Sequence, residues 1–431
     1  MTAQDRPLGA LATRTEIAAG RLTATEATEA LIARISDLEP ELRAWVHVDA
    51  EGARADAAAL DAGPNRGPLH GVALGVKDLF AAAGLPWRSG SPIWKDRIAG
   101  FDAAPVALAR RAGAIVLGKT VTTEFAGYKP SQTRNPVAPG RTPGGSSSGS
   151  AAAVAAGMVP LAFGTQTSGS VIRPASFCGV VGFKPSFDLI EPYGVTALAR
   201  SFDTVGLFAR DVPDVAFGIE ALTGLALPLP TLAQAPCPMT LFRSAAWSKA
   251  EPDLLRAWDA FEADLIATGA QLHDTLPPSF VRALDPVLEL HARIMAVEAS
   301  EALAYEAEIA PDLLSAGLRA QIEEGRAVPP AQRHADRLAL TRLRARAVSD
   351  LDPSAVWLTP SSCGAAPDFD ASTGDPAFNR TWSLLGLPSC SVPLLSDDAG
   401  RPIGVQVVGA MGNDHGVLAT ANWLMQRLAG L

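Results

Sequence analysis

The chain has 431 residues, of which 48% are hydrophobic and 19% charged, with a formal net charge of -9. This excludes a disordered chain and provides for a substantial core, in one large α/β domain or two smaller ones. The acidic balance argues against a dedicated nucleic-acid or anionic-membrane binder and leaves small molecules as the expected partners.

The amino-terminal stretch "MTAQDRPLGALATRTE" carries charges where a signal peptide needs an apolar run, and no purely apolar run of about 18 residues occurs anywhere. The expected location is therefore cytoplasmic. In "LTATEATEALIARI", Thr23 and Glu26 form a capping box and Leu31, Ile35 and Leu38 an apolar stripe, which predicts a helix over 24–38. "HGVALGVKDLF" reads as a buried strand that delivers Lys77 and Asp78 at its end. A helix through "APVALARRAG" and a strand "AIVLGKT" follow. From Thr142 to Ile172 no residue is charged, and within that span "SAAAVAAGMV" reads as a buried central helix and "VPLAFGTQT" as a strand. From about 224 to 352 the composition shifts to charged, alanine-rich helices, an expected amphipathic outer layer. Strands return with "AVWLTPSS", "LPSCSVPLL" and "PIGVQVVGA", before a last helix "GVLATANWLMQRL". This interleaving without repeats favours a single α/β unit. Cys178, Cys237, Cys363 and Cys390 show no CxxC spacing and are expected to be reduced and structural, Cys178 as an inert packing residue.

Two short patterns compete for the chemistry. "GAIVLGKT", Gly113 to Thr120, satisfies the letters of a phosphate-binding loop, but its middle residues read as the strand itself. "GSSSG", Gly145 to Gly149, matches a nucleophile elbow with Ser147 at its centre and defines the alternative reading, a histidine-dependent serine α/β-hydrolase. Its candidate bases His273, His291, His334 and His415 lie in undistinguished settings and read as surface or partly buried helix residues. A third arrangement joins "GGSSSG", "TQTSGSVIRP" and the lone Lys77, since a lysine kept neutral by burial can serve as the base for a serine hydroxyl.

These three segments resemble the amidase signature family of Ser-Ser-Lys hydrolases, in its compact malonamidase-like branch. The likeness extends through "GPLHGVALGVKDLF", "GAIVLGKTVTTEFA", "TRNPVAPGRTPGGSSSGSAAAVAAG", "FCGVVGFKPS", "FNRTWSLLGLPSCSVP" and "PIGVQVVG". It implies one amidase-signature domain over 1–431, a mixed central sheet covered by helices on both sides, and a variable, mostly helical substrate-side segment at about 225–350. It further implies Ser170 as nucleophile, Ser146 as bridging serine, Lys77 as base, and a cis peptide bond between Gly145 and Ser146. The backbone N–H groups of Thr167, Ser168, Gly169 and Ser170 are then the oxyanion donors. Gln166 and Ser168 stand where the family usually has Asp and Gly, which alters the shape of that turn.

The expected activity is hydrolysis of the C–N bond of small amides, with esters or carbamates as side substrates and with neither metal nor cofactor. Partners are expected to be limited to the substrate, with no nucleic acid and no membrane, and with a homodimer allowed for. A partner-requiring amidotransferase-type subunit is the second alternative. Arg173, three residues after Ser170, suits a substrate carboxylate or an internal salt bridge that braces the loop. Trp87, Phe125, Tyr128 and Trp382 are the expected apolar pocket residues and favour the brace. Ser147, with Ser148 and Ser150, reads as capping or hydrogen-bonding, Ser147 being the one of the three placed to touch substrate.

Overall fold

A computed structural model describes residues 7–229, 234–273 and 276–428. Ten strands form one mixed sheet: β1 (Trp45–Val48), β2 (Ala73–Lys77), β3 (Ile115–Thr120), β4 (Leu161–Gln166), β5 (Val181–Lys184), β6 (Thr204–Ala209), β7 (Met239–Leu241), β8 (Val356–Pro360), β9 (Ser389–Ser396) and β10 (Pro402–Gly409). Their order is β1-β3-β2-β4-β6-β5-β9-β10-β8-β7. β2 runs parallel to both β3 and β4, and β7 parallel to β8; the other pairings are antiparallel. Central strands buried on both faces need apolar residues at nearly every position, which is why β2 to β4 read as continuous runs.

The two-residue period sorts those side chains between two cores. Ile115, Leu117, Ala73 and Ala162 meet the helices Ala24–Leu42, Ala50–Ala62 and Ser148–Ala155 on one face. Val116, Leu74, Val76, Leu161 and Phe163 belong to the core on the other face, with residues of the helices Ala104–Arg111, Val212–Thr223, Pro252–Ala267 and Asp414–Leu428. Lys77 shares its parity with Ala73 and so falls on the side of the helix Ser148–Ala155. That helix presses directly on backbone, because a Cβ on Gly149 would stand 2.2 Å from the Ala44 carbonyl oxygen and 2.3 Å from the Val121 nitrogen. Every residue of it is buried, as its uncharged sequence requires.

The expected helix over 24–38 forms with its capping box intact and continues to Leu42, running through Pro40 and stopping where Arg43 turns left-handed. The helix read from "SAAAVAAGMV" is shorter and earlier, Ser148–Ala155. The segment at 225–350 carries the helices Pro278–Ala283, Val287–Ala302, Ala304–Ile309, Ala316–Ala327 and Pro330–Asp350 as well as Pro252–Ala267; residues 230–233 and 274–275 of it lie outside the described residues. It is more than an outer layer, since Leu290, Ile294, Met295 and Leu343 join Trp357, Trp382 and Leu384 in a buried cluster. Among the described residues no helix is long and apolar enough to cross a membrane.

Candidate active site

Lys77 ends β2 fully buried, and its Nζ lies 2.7 Å from Ser146 Oγ, 2.9 Å from Ser147 Oγ and 2.7 Å from Thr165 Oγ1. No carboxylate pairs with it among the described residues. Burial holds its pKa well below the ordinary lysine value, opposed by the more distant charge of Asp203. The parallel pairing of β2 with β4 brings Thr165 to the same end of the sheet as Lys77. The turn before the helix Ser148–Ala155 supplies both serines, and its Gly145–Ser146 peptide bond is cis, as the resemblance implies.

Of the two roles expected for Ser147, capping or hydrogen-bonding, it takes the second: its Oγ makes no cap bond to the helix and contacts Lys77, with Thr165 N at 3.4 Å. Ser148 bonds Ser131, and Ser150 bonds Thr120 and the Phe163 carbonyl. Ser170 lies on the short turn between β4 and the helix Ile172–Cys178 and is 6% exposed. Arg173 ties the two serine segments together, its Nη2 donating to the Gly145 carbonyl at 2.7 Å and reaching Thr373 Oγ1 at 3.3 Å.

That turn is held from several sides. Gln166 Oε1 accepts from Val171 N and Ile172 N at 2.9 and 3.0 Å, and its Nε2 donates to Ser383 Oγ at 3.0 Å. Ser383 Oγ donates to the Ser168 carbonyl at 2.7 Å. The Thr167 hydroxyl donates to Asp203, a carboxylate that burial raises to about 6. His291 Nε2 lies 3.1 Å from the Thr167 carbonyl. A Cβ on Gly169 would stand 2.3 Å from Asn379 Oδ1, so a glycine is needed where the turn meets the helix Ala377–Leu385. Outside the strand ladder, the N–H groups of residues 167–170 donate to no acceptor among the described residues. The Ser168 side chain points to Tyr128 OH at 3.3 Å and Met295 Sδ at 3.4 Å.

The other expected pocket residues are dispersed. Tyr128 is 40% exposed and stands beside Ser168. Trp87 lines a neighbouring cavity of about 500 Å³ that Thr165, Thr167 and Asp203 also line; its indole N–H donates to Leu79 O and Thr196 Oγ1. Phe125 is packed with Leu198, Leu303 and Leu318, and Trp382 is a core residue set edge-on to Phe242. Among the described residues the internal salt bridge offered as a role for Arg173 is absent: its Nε and Nη1 have no partner there, and burial lowers its pKa to about 10.

Of the histidines weighed as bases, His273, His334 and His415 are exposed, and none of the four contacts Ser147. His291 departs from its expected surface or partly buried setting: it is fully buried, stacked on Phe202 with ring centroids 4.6 Å apart. A sequence signal for this existed, because Val287, Leu290, His291, Ile294 and Met295 form one helical stripe. Asp203 had no comparable signal. "GAIVLGKT" is strand, as expected; its Lys119 is buried against Asp78 Oδ1 at 2.9 Å and the carbonyls of Phe80 and Pro86. All four cysteines are free, and burial raises the Cys178 thiol.

Comparison with known proteins gives this geometry a family. The family model described as Amidase matches residues 26–418. A glutamyl-tRNA(Gln) amidotransferase subunit from Synechococcus sp. (strain RCC307) is 30% identical over 94% of this chain and 94% of its own. The same-named protein of Roseiflexus sp. (strain RS-1) is 43% identical over 48% of this chain and 44% of its own, so the chain spans about half the length of the curated relatives with which it shares this higher identity. A crystal structure described as an amidase superposes with a TM-score of 0.87 at 32% identity, covering 98% of this chain and all of the other. The fold and the sequence together are those of the amidase-signature class. The chain belongs to the amidase family.

Proposed function

We propose that this protein hydrolyses the C–N bond of small linear amides through Ser170, Ser146 and Lys77, acting as one domain without cofactor. The observation that carries the reading is the fully buried Lys77 Nζ, 2.7 Å from Ser146 Oγ and without a counter-ion among the described residues. A neutral amine has two N–H bonds and one lone pair. If the two N–H bonds face Ser147 and Thr165, the lone pair faces Ser146 and can take its proton. Ser146 then takes the proton of Ser170, whose Oγ bonds to the amide carbon. The carbonyl oxygen becomes an oxyanion facing the N–H groups of Thr167 to Ser170. The proton returns through Ser146 to the nitrogen, the C–N bond breaks, and the amine leaves an ester on Ser170. Water repeats the sequence, releasing the acid and restoring the serine.

Arg173 bears on the substrate class. One nitrogen braces Gly145, whereas Nε and Nη1 lack partners among the described residues, and a buried cation without a counter-ion is costly. This favours an amide that carries a carboxylate near the scissile bond, with Tyr128 beside it. The relatives named for an amidotransferase favour a second reading, in which the chain works only within a complex. Incubating the purified chain with acidic, aryl and aliphatic amides tests both. Turnover that disappears in Ser170→Ala, with an acyl group on Ser170 seen by intact mass, is expected. Turnover retained in Ser170→Ala refutes the nucleophile, and turnover only with added partner proteins favours the second reading.

A further inference from the structure

Oxyanion donors act only when their peptide planes are fixed before charge develops. In a planar trans peptide the carbonyl of one residue and the N–H of the next point in opposite directions. A donor that holds the Thr167 carbonyl therefore aims the Ser168 N–H the other way. His291 is placed to be that donor, with Nε2 at 3.1 Å from the Thr167 oxygen. A carbonyl only accepts, so the contact requires the hydrogen on Nε2. Ring position is set by stacking on Phe202, and Nδ1 has no partner among the described residues. Burial lowers the imidazole to about 3, so it is neutral across the working range and is not a base for either serine. The neighbouring plane is held in the same way, since Ser383 Oγ donates to the Ser168 carbonyl whose peptide carries the Gly169 N–H. On the far side the Thr167 hydroxyl is held by Asp203.

We infer that His291 is a positioning residue of the hydrolytic site: its Nε2–H grips the Thr167 carbonyl from the helix Val287–Ala302 and so orients the Ser168 N–H toward the developing oxyanion. The inference rests on the reading of Ser170 as nucleophile. It assigns a role in turnover to a residue 121 positions beyond that serine, inside the segment expected to vary with substrate.

The experiment compares His291→Phe, which keeps the stacking but lacks the donor, with His291→Gln, whose side-chain amide offers an N–H at a similar reach. A fluorophosphonate probe, which needs the same serine and the same oxyanion donors, reports without knowledge of the substrate. Phosphonylation and kcat should fall about ten- to a hundredfold in His291→Phe, less than the loss of a whole donor, with KM within about twofold. His291→Gln should recover most of the loss. A folded His291→Phe reacting at the wild-type rate overturns the inference, as does a Gln variant no faster than the Phe variant. Nitrogen-15 histidine spectra of the wild type decide the point if His291→Phe does not fold: an Nε2–H tautomer at His291 supports the grip, and an Nδ1–H tautomer overturns it. A wild type that the probe leaves unlabelled overturns the nucleophile reading and this inference with it.

Discussion

Replacing Arg173 by methionine sets two opposing effects on folding against one effect on activity. Burial holds the guanidinium at about 10, well below the ordinary arginine value, which at about 1.36 kcal/mol per tenfold change corresponds to a penalty of about 3 kcal/mol for keeping the charge inside. Methionine removes that penalty and fills much of the same volume. It also removes the bonds to the Gly145 carbonyl and Thr373, and a bond from a charged donor contributes about 1.5–3 kcal/mol. The sum is close to cancellation, so unfolding stability should move by less than about 1.5 kcal/mol in either direction. Between about 10 and the ordinary arginine value the unfolded chain binds a proton that the folded chain lacks, so stability rises with pH there and the penalty is constant below about 10. The comparison therefore holds at neutral pH. Activity has no such compensation: KM for an acidic aryl amide should rise about ten- to a hundredfold, while a neutral aryl amide is affected far less. Denaturant unfolding alongside paired kinetics on the two amides is the assay. A destabilisation above about 3 kcal/mol with equal losses on both substrates would show that Arg173 serves the loop and not a carboxylate.

Ser170→Ala and Lys77→Ala should each remove nearly all hydrolysis, about a thousandfold or more, and Ser146→Ala should leave a trace because water fits the vacated relay position. His273→Ala, His334→Ala and His415→Ala should keep most of it; loss in any of the three would revive a histidine-dependent mechanism. Because burial favours neutral Lys77, kcat/KM should rise with pH through its ionisation and level off below the ordinary lysine range, and a profile falling with pH over that span would contradict its role as base. Lys184, fully buried and held at about 7 instead of 10.5, makes the unfolded chain bind the extra proton between those values. Stability should therefore rise with pH across that window, and Lys184→Met should flatten the rise in calorimetric scans.

The parts of the fold legible in the sequence are those where one physical requirement dominates. Thr23 and Glu26 satisfy the first helix turn through their own side chains, and the helix starts where that pair places it. β2 to β4 need apolar residues on both faces and show them. The helix Ala10–Ala18 has almost no apolar stripe, and β1 is four residues long, so neither carries a periodic signal. The meeting of Lys77 with Ser146 was reachable through resemblance, and its burial through the uncharged sequence around it. The remaining contacts of Lys77 were not: Thr165 joins it because the parallel strands β2 and β4 end together, and Ser147 because it sits on the turn that carries Ser146. Trp382 reads as an aromatic available to a ligand, yet its helix turns it toward Phe242. His291 was lost to the charged composition around it, although the local stripe marks its buried face.

The helix Val287–Ala302 places Met295 against Ser168 and His291 against Thr167, so the segment expected to diversify is mechanically joined to the turn that carries Ser170, the proposed nucleophile. Exchanging that segment between relatives to change what they accept would therefore also transplant part of the support for the turn that carries Ser170. Chimeras made at its sequence boundaries should bind new amides more readily than they turn them over. Productive ones should be those that retain a donor above the Thr167 carbonyl and a soft, adaptable side chain beside Ser168.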